Sequence, residues 1–170
     1  MRNILALLPL LVLHLPACRA DDEQAGNDPQ IGRSFRIPYQ LTNTNHFLVR
    51  VRINGKGPFN FLVDSGAPAL YVTKETAAKI GLKPPEGEFW TPVDRLDFEG
   101  GARLSRIKAR VEDPFQLVGM NALGLPAASI DGILGFTILA RFRLQIDPTL
   151  DRMTWTRLPS SPRSADPPAR

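Results

Sequence analysis

An all-β fold with one or two short helices is predicted for this 170-residue chain by three features of its sequence. Short runs alternate apolar with polar residues, turn-forming glycines and prolines separate them, and few stretches keep a helical period. The clearest run is Phe47 to Ile53, in which Val49, Val51 and Ile53 share one face and Arg50 and Arg52 the other. That is the pattern of a half-buried strand. Asn54-Gly55-Lys56-Gly57-Pro58 supplies a tight reversal, its glycines tolerating the backbone angles a hairpin needs, and Phe59 to Val63 returns. Thr73 is placed to cap a short helix over Lys74 to Ile80, which Gly81 and then Pro84-Pro85 end. Phe89 to Phe98, Gly100-Gly101 and Ala102 to Val111 read as a long hairpin. Ile130 to Leu134 is a short apolar run stopped by Gly135, with a helical turn expected over Thr137 to Ala140. Phe142, Leu144 and Ile146 then alternate with Arg143, Gln145 and Asp147, and Asp147-Pro148 turns the chain into a last strand, Arg152 to Thr156. No repeat of fixed period is present.

The two ends differ from this middle. Residues 1–20 open with Arg2 and continue through the apolar run Ile4 to Leu15, too short to be a stable membrane anchor. This is the layout of an export signal, and it predicts a periplasmic, envelope-associated or secreted protein. Cleavage after Ala20 is preferred to lipid attachment at Cys18, because Pro16 is awkward within a lipidation motif. A buried helix is disfavoured there by Pro9 and Pro16. Residues 21–35 read as a flexible linker, 36–157 as one domain, and 158–170 as a disordered tail rich in Pro, Ser, Arg and Asp. About 150 residues remain after export, enough for a single core.

Composition excludes several chemistries. The chain has 21 Lys and Arg against 17 Asp and Glu; losing Arg2 and Arg19 with the leader leaves 19 against 17, or +2. No basic run with interleaved aromatics suggests nucleic acid, so the cations read as a solvated surface. Cys18 is the only cysteine, and of the two histidines His14 lies in the leader, which leaves His46. A cysteine peptidase, a thiolate zinc site and a His-Glu-x-x-His metallopeptidase are therefore excluded on inventory. His46 lies beside the first strand, has no Gly-x-Ser-x-Gly partner, and reads as a strand-edge residue.

The remaining chemistry centres on Phe61-Leu62-Val63-Asp64-Ser65-Gly66-Ala67. Three apolar residues deliver a carboxylate to the end of a buried strand, where an isolated charge is costly unless it finds donors or keeps a proton. Ser65 offers a hydroxyl beside it. Gly66 removes the side chain that would crowd the turn, so that backbone N–H groups can approach the acid.

On these residues the chain resembles the retropepsin-like aspartic peptidases, in particular the bacterial single-domain members. A hydrophobic run precedes Asp64-Ser65-Gly66, Ala67 is the usual small follower, and Ile133-Leu134-Gly135 matches the family's late apolar pair before a glycine. Phe136 to Trp155 fits the helical turn and closing strands, so the resemblance spans about residues 36–157. It implies a single-lobe acid-protease β-barrel and an endopeptidase that needs no cofactor and no metal. It also implies a symmetric homodimer, in which the Asp64 carboxylates of two chains share one proton and activate a water. Ser65 would brace the opposite loop, Gly66 would present its carbonyl to a peptide or protein substrate, and Ile133, Leu134 and Gly135 would form the strand packed behind the active loop.

Asp131 competes for the role of second carboxylate but lacks a neighbouring Ser or Thr, and is expected to be structural. The hairpin from about Thr91 to Ala109 occupies the place of the family flap, with Gly100 and Gly101 as its tip, although its acidic Asp94, Asp97 and Glu99 do not match the family. Trp90, Phe98, Phe115 and Met120 are candidate pocket linings, a role that competes with ordinary core packing. A non-catalytic peptide-binding or assembly module of the envelope that keeps the peptidase fold is the alternative reading, since fold alone does not establish activity.

Overall fold

The computed structural model describes residues 28–124 and 129–159. The expected leader with Cys18, the first part of the linker and most of the tail lie outside the described residues. Ten strands and three short helices are present among those described. In chain order they are β1 (Ser34–Arg36), β2 (Tyr39–Leu41), β3 (Phe47–Ile53), β4 (Lys56–Val63), β5 (Leu70–Val72) and α1 (Lys74–Ile80). There follow β6 (Trp90–Phe98), β7 (Arg103–Val111), α2 (Phe115–Ala122), β8 (Gly132–Leu134), α3 (Phe136–Leu139), β9 (Phe142–Asp147) and β10 (Arg152–Arg157).

Six strands close a barrel in the order β3-β4-β8-β5-β7-β6, and pairing of Val51 with Phe98 and Ile53 with Leu96 completes the ring. Strand β3 gives one edge to β4 and divides the other between β2 and β6. Its alternation has the predicted consequence: Val49, Val51 and Ile53 are buried in the barrel, while Arg50 and Arg52 face water. Asn54 and Gly55 both have positive φ, 49° and 80°, as a two-residue hairpin turn between Ile53 and Lys56 requires. Helix α1 has the expected limits: the Thr73 hydroxyl accepts the Thr76 N–H at 3.2 Å, and Gly81 ends it in the left-handed region at φ 76°.

A second sheet, β1-β10-β9, is antiparallel throughout and packs on the same core. Trp155 from β10 is fully buried against Phe98 and Phe142, with ring centroids 5.1 and 5.3 Å away. Trp155→Ala is therefore expected to lower unfolding free energy by about 3–5 kcal/mol, read from the urea midpoint. A loss below about 1 kcal/mol would mean that the second sheet does not secure the barrel.

Three expectations are corrected. The linker boundary at residue 35 is too late: Ser34–Arg36 pair with Thr154–Thr156, and the Asp28 carboxylate accepts from the Arg157 Nε–H at 2.9 Å. A three-residue strand shows no period, and its partner lies 122 residues further on. Likewise Leu158, expected in the tail, donates its N–H to the Arg141 carbonyl at 2.9 Å. Among the described residues the helices number three because α2 forms after Asp113-Pro114; Pro114 before an apolar run was its one signal, for it has no side-chain cap and carries Gly119 in its middle.

Candidate active site

Strand β4 ends at Val63, and the chain turns at once through Asp64, Ser65 and Gly66. The ladder explains why the acid is held there. Strand β8 lies parallel to β4, with Val63 opposite Leu134, and antiparallel to β5, with Leu70 opposite Leu134. The loop from Asp64 to Ala69 thus leaves one neighbour of β8 and returns as the other, arching over its end. Asp64 is pinned there by its backbone N–H, which donates to the Leu134 carbonyl at 3.1 Å. Ala67 N–H closes the turn on the Asp64 carbonyl at 3.2 Å, and Phe136 N–H donates to the Ala67 carbonyl at 2.7 Å.

The carboxylate itself is half-buried. Asp64 Oδ1 accepts the Gly66 N–H at 2.8 Å, and a Cβ at Gly66 would stand 3.2 Å from that same oxygen, tighter than ordinary contact. Ser65 is exposed, and among the described residues its hydroxyl makes no hydrogen bond within its own chain.

Ile133, Leu134 and Gly135 sit directly beneath this arch. Ile133 belongs to a small cluster with Leu48, Leu62, Leu117, Met120 and Ile130, against which Ala67 and Tyr71 pack; Leu134 points into the main core. Gly135 is where the loop and β8 come closest: a Cβ there would overlap the carbonyl oxygens of Ala69 and Ala67. At Gly132 it would overlap Tyr71 backbone and the Phe61 ring. Glycine is required at both positions by space, since neither has a positive φ.

Asp131 lies behind the arch as a cross-brace. Its Oδ2 accepts the Asn60 N–H at 2.9 Å and its Oδ1 the Thr76 hydroxyl at 2.8 Å, joining β4 to α1. Its backbone carbonyl accepts the Thr73 N–H at 2.9 Å. Asp131→Ala would strand two donors, each worth about 1–3 kcal/mol when buried and unpaired. The expected result is a clear fall in the denaturation midpoint, with activity per folded molecule retained; loss of activity in a folded protein would give Asp131 a chemical role instead.

Gly100 and Gly101, expected at a flap tip, are not brought together with Asp64. They form the β6–β7 turn, where a Cβ at Gly100 would overlap the Arg36 carbonyl. The Gln30 side chain donates to the Gly101 carbonyl at 3.0 Å and accepts the Arg103 N–H at 2.8 Å. The tip is thereby fastened to the segment leading into β1, because β6 must run past β3 to close the barrel. Of the aromatic and Met candidates, Phe98 and Met120 are core, Trp90 is half-buried and Phe115 stands 90% exposed on α2. A feature missed by sequence reading is the stack in which the Arg110 guanidinium lies 5.9 Å from the Tyr71 ring centroid and 5.3 Å from that of Phe89. It depends on Tyr71 and Arg110 being opposite each other in the parallel β5–β7 pair, which no local pattern reveals. Among the described residues no group of three or more His, Cys, Asp or Glu is gathered to hold a metal ion.

A retropepsin-like aspartic protease from Rickettsia conorii has a similar fold, with 21% identity and a TM-score of 0.50 over 72% of this chain and 88% of that one. The retroviral protease-like domain of Ddi1 from Leishmania major matches at 23% identity and TM-score 0.41, covering 72% of this chain and 98% of that one. Basic 7S globulin from soybean matches at 12% identity and TM-score 0.47, covering 77% and 44% of the two chains. No curated protein sequence matches. The family profile described as aspartyl protease matches residues 49–138, which is 90 of the 170 residues and includes Asp64 and Gly135. The chain therefore belongs to the aspartyl protease family, and its fold is the retropepsin-like one.

Proposed function

We propose that the protein is an aspartic endopeptidase assembled as a homodimer, in which two Asp64 carboxylates meet on a two-fold axis. The observation that carries this reading is a half-site: one carboxylate, half-exposed at the mouth of the Asp64–Gly66 turn, with one oxygen already bonded to Gly66 N–H. Activation of a water needs one ionised and one protonated carboxyl group, and among the described residues a single chain supplies only one in this setting because Asp131 is engaged by Asn60 and Thr76. A second copy related by a two-fold axis supplies the other. The ionised carboxylate takes a proton from the water, the protonated one polarises the scissile carbonyl, and the proton is returned to the leaving amine. Ser65, exposed beside Asp64, would hydrogen-bond across the axis.

The substrate is an extended peptide bound between the two copies, and the leader expected over residues 1–20 would carry the activity out of the cytoplasm. The test is cleavage of a randomised peptide library by the wild-type chain and by Asp64→Asn. Equal cleavage by both would sink the mechanism.

A further inference from the structure

The small apolar cluster beside the Asp64 loop is covered by α2. Leu48, Leu62 and Ile133 come from the neighbouring strands β3, β4 and β8, are buried, and pack with Leu117 and Met120 of the helix. Ala67, three residues after the acid, packs against the same cluster, so the strip that α2 covers reaches the Asp64 loop itself. The β6–β7 tip, fastened to Gln30, does not cover this ground.

The helix is weakly held for an element in this position. It has eight residues, no side-chain cap, and Gly119 in its interior, whereas an isolated helix needs about 12–15 residues to be even marginally stable in water. Away from the strip it would therefore unwind. Among the described residues, one side chain of α2 hydrogen-bonds outside the helix: the Asn121 amide N–H donates to the Ile130 carbonyl at 3.1 Å, and its oxygen accepts the Ile130 N–H at 2.9 Å. The outer side is apolar too, with Phe115 90% and Val118 51% exposed, and no ionisable residue fixes the helix in water. Two buried side chains and one amide latch keep α2 on the strip.

We propose that α2 is an autoinhibitory lid, which fills the apolar strip beside the Asp64 loop and must unwind from it before a peptide can lie against the acid. This rests on the peptidase reading above. A peptide that reaches Asp64 lies along the loop that carries Ala67, and α2 occupies the adjoining ground. The side chains of Leu117 and Met120 are what a peptide's own apolar side chains would replace, so the closed and open states differ by a helix of low intrinsic stability and one latch. Opening of this kind lowers apparent affinity by the fraction of molecules that are open.

The experiment compares the full-length wild type with two single variants that push α2 in opposite directions. Asn121→Ala removes the latch. Gly119→Ala adds a methyl group at a position without positive φ, where nothing lies within 4 Å of a Cβ, and so strengthens the helix. With a randomised peptide library below saturation, Asn121→Ala should cleave about tenfold faster than wild type and Gly119→Ala about fivefold slower. Hydrogen exchange at residues 117–122 should follow, faster in the first variant and slower in the second, with β3 and β4 unchanged. A merely structural helix predicts the reverse order, the looser variant being the poorer enzyme. Equal rates, or slower cleavage by folded Asn121→Ala, overturn the inference. Should Asn121→Ala not fold, Gly119→Ala decides: slower cleavage by a protein at least as stable as wild type sustains the lid, and equal or faster cleavage overturns it. If no form of the chain cleaves, the peptidase reading fails by itself, and the lid is decided by fluorescence of ANS, a dye that binds exposed apolar surface. A rise in Asn121→Ala with a fall in Gly119→Ala sustains it, and no change in either overturns it.

Discussion

Asp64→Asn is expected to reduce peptide cleavage by at least 10³-fold, about the scale of losing an acid–base pair, while leaving the unfolding midpoint within about 0.5 kcal/mol of wild type. The small effect on stability follows from geometry. Asn keeps an oxygen for the Gly66 N–H, which Asp64 Oδ1 accepts at 2.8 Å, and the main-chain bond to Leu134 does not involve the side chain. Catalysis is lost because an amide neither takes the proton of the attacking water nor shares one with a second carboxylate. The same variant reports on assembly. If two chains build one site, mixing equal amounts of wild type and Asp64→Asn at constant total concentration should leave about a quarter of the activity, since one dimer in four carries both acids. A chain that worked alone would leave half, and that result would overturn the homodimeric site.

Gly135→Ala should have the larger effect on folding. The added Cβ meets main-chain oxygens of Ala67 and Ala69, groups fixed by β5 and by the bond from Phe136 N–H, so no side chain can swing aside to relieve the overlap. Overpacking where side chains yield costs about 1–3 kcal/mol, and displacing backbone at this position is expected to exceed about 4 kcal/mol. Because the displaced atoms form the arch that carries Asp64, any folded fraction should also lose activity, unlike Trp155→Ala, which loosens the barrel away from the loop. A variant as stable as wild type, within about 1 kcal/mol, would show that the arch and β8 are not in contact as described. This contact gives the Ile133-Leu134-Gly135 motif its physical content. Two apolar residues bury to either side of β8, and the third position must have no side chain at all because the Asp64 loop lies upon it.

Much of this architecture is legible locally. The alternation at Phe47–Ile53, the Asn54-Gly55 turn, and helix α1 between Thr73 and Gly81 each depend on residues a few positions apart, and they appear where the pattern put them. Apolar Phe61 to Val63 running into Asp64-Ser65-Gly66 likewise announces a carboxylate at a strand end. Other features depend on partners distant in sequence and left no local trace. Strand β1 exists because β10 is there to pair with it. The Gly100–Gly101 turn, which looks like a mobile tip when read alone, is fastened by Gln30, some 71 residues earlier. Helix α2 is held by burial of Leu117 and Met120 against Leu48, Leu62 and Ile133 more than by capping or period.

The sequence by itself determined the strand-rich class, the position of the acid and the glycine that must lie near it, because these follow from side-chain alternation, turn chemistry and the absence of other reactive groups. Tertiary structure alone decided which groups stand around Asp64. It tied Asp131 to Asn60 and Thr76, carried Gly100 and Gly101 to the N-terminal segment, and laid the Asp64 loop on Gly135. Register and barrel closure are properties of many pairings at once, so no single stretch of sequence encodes them.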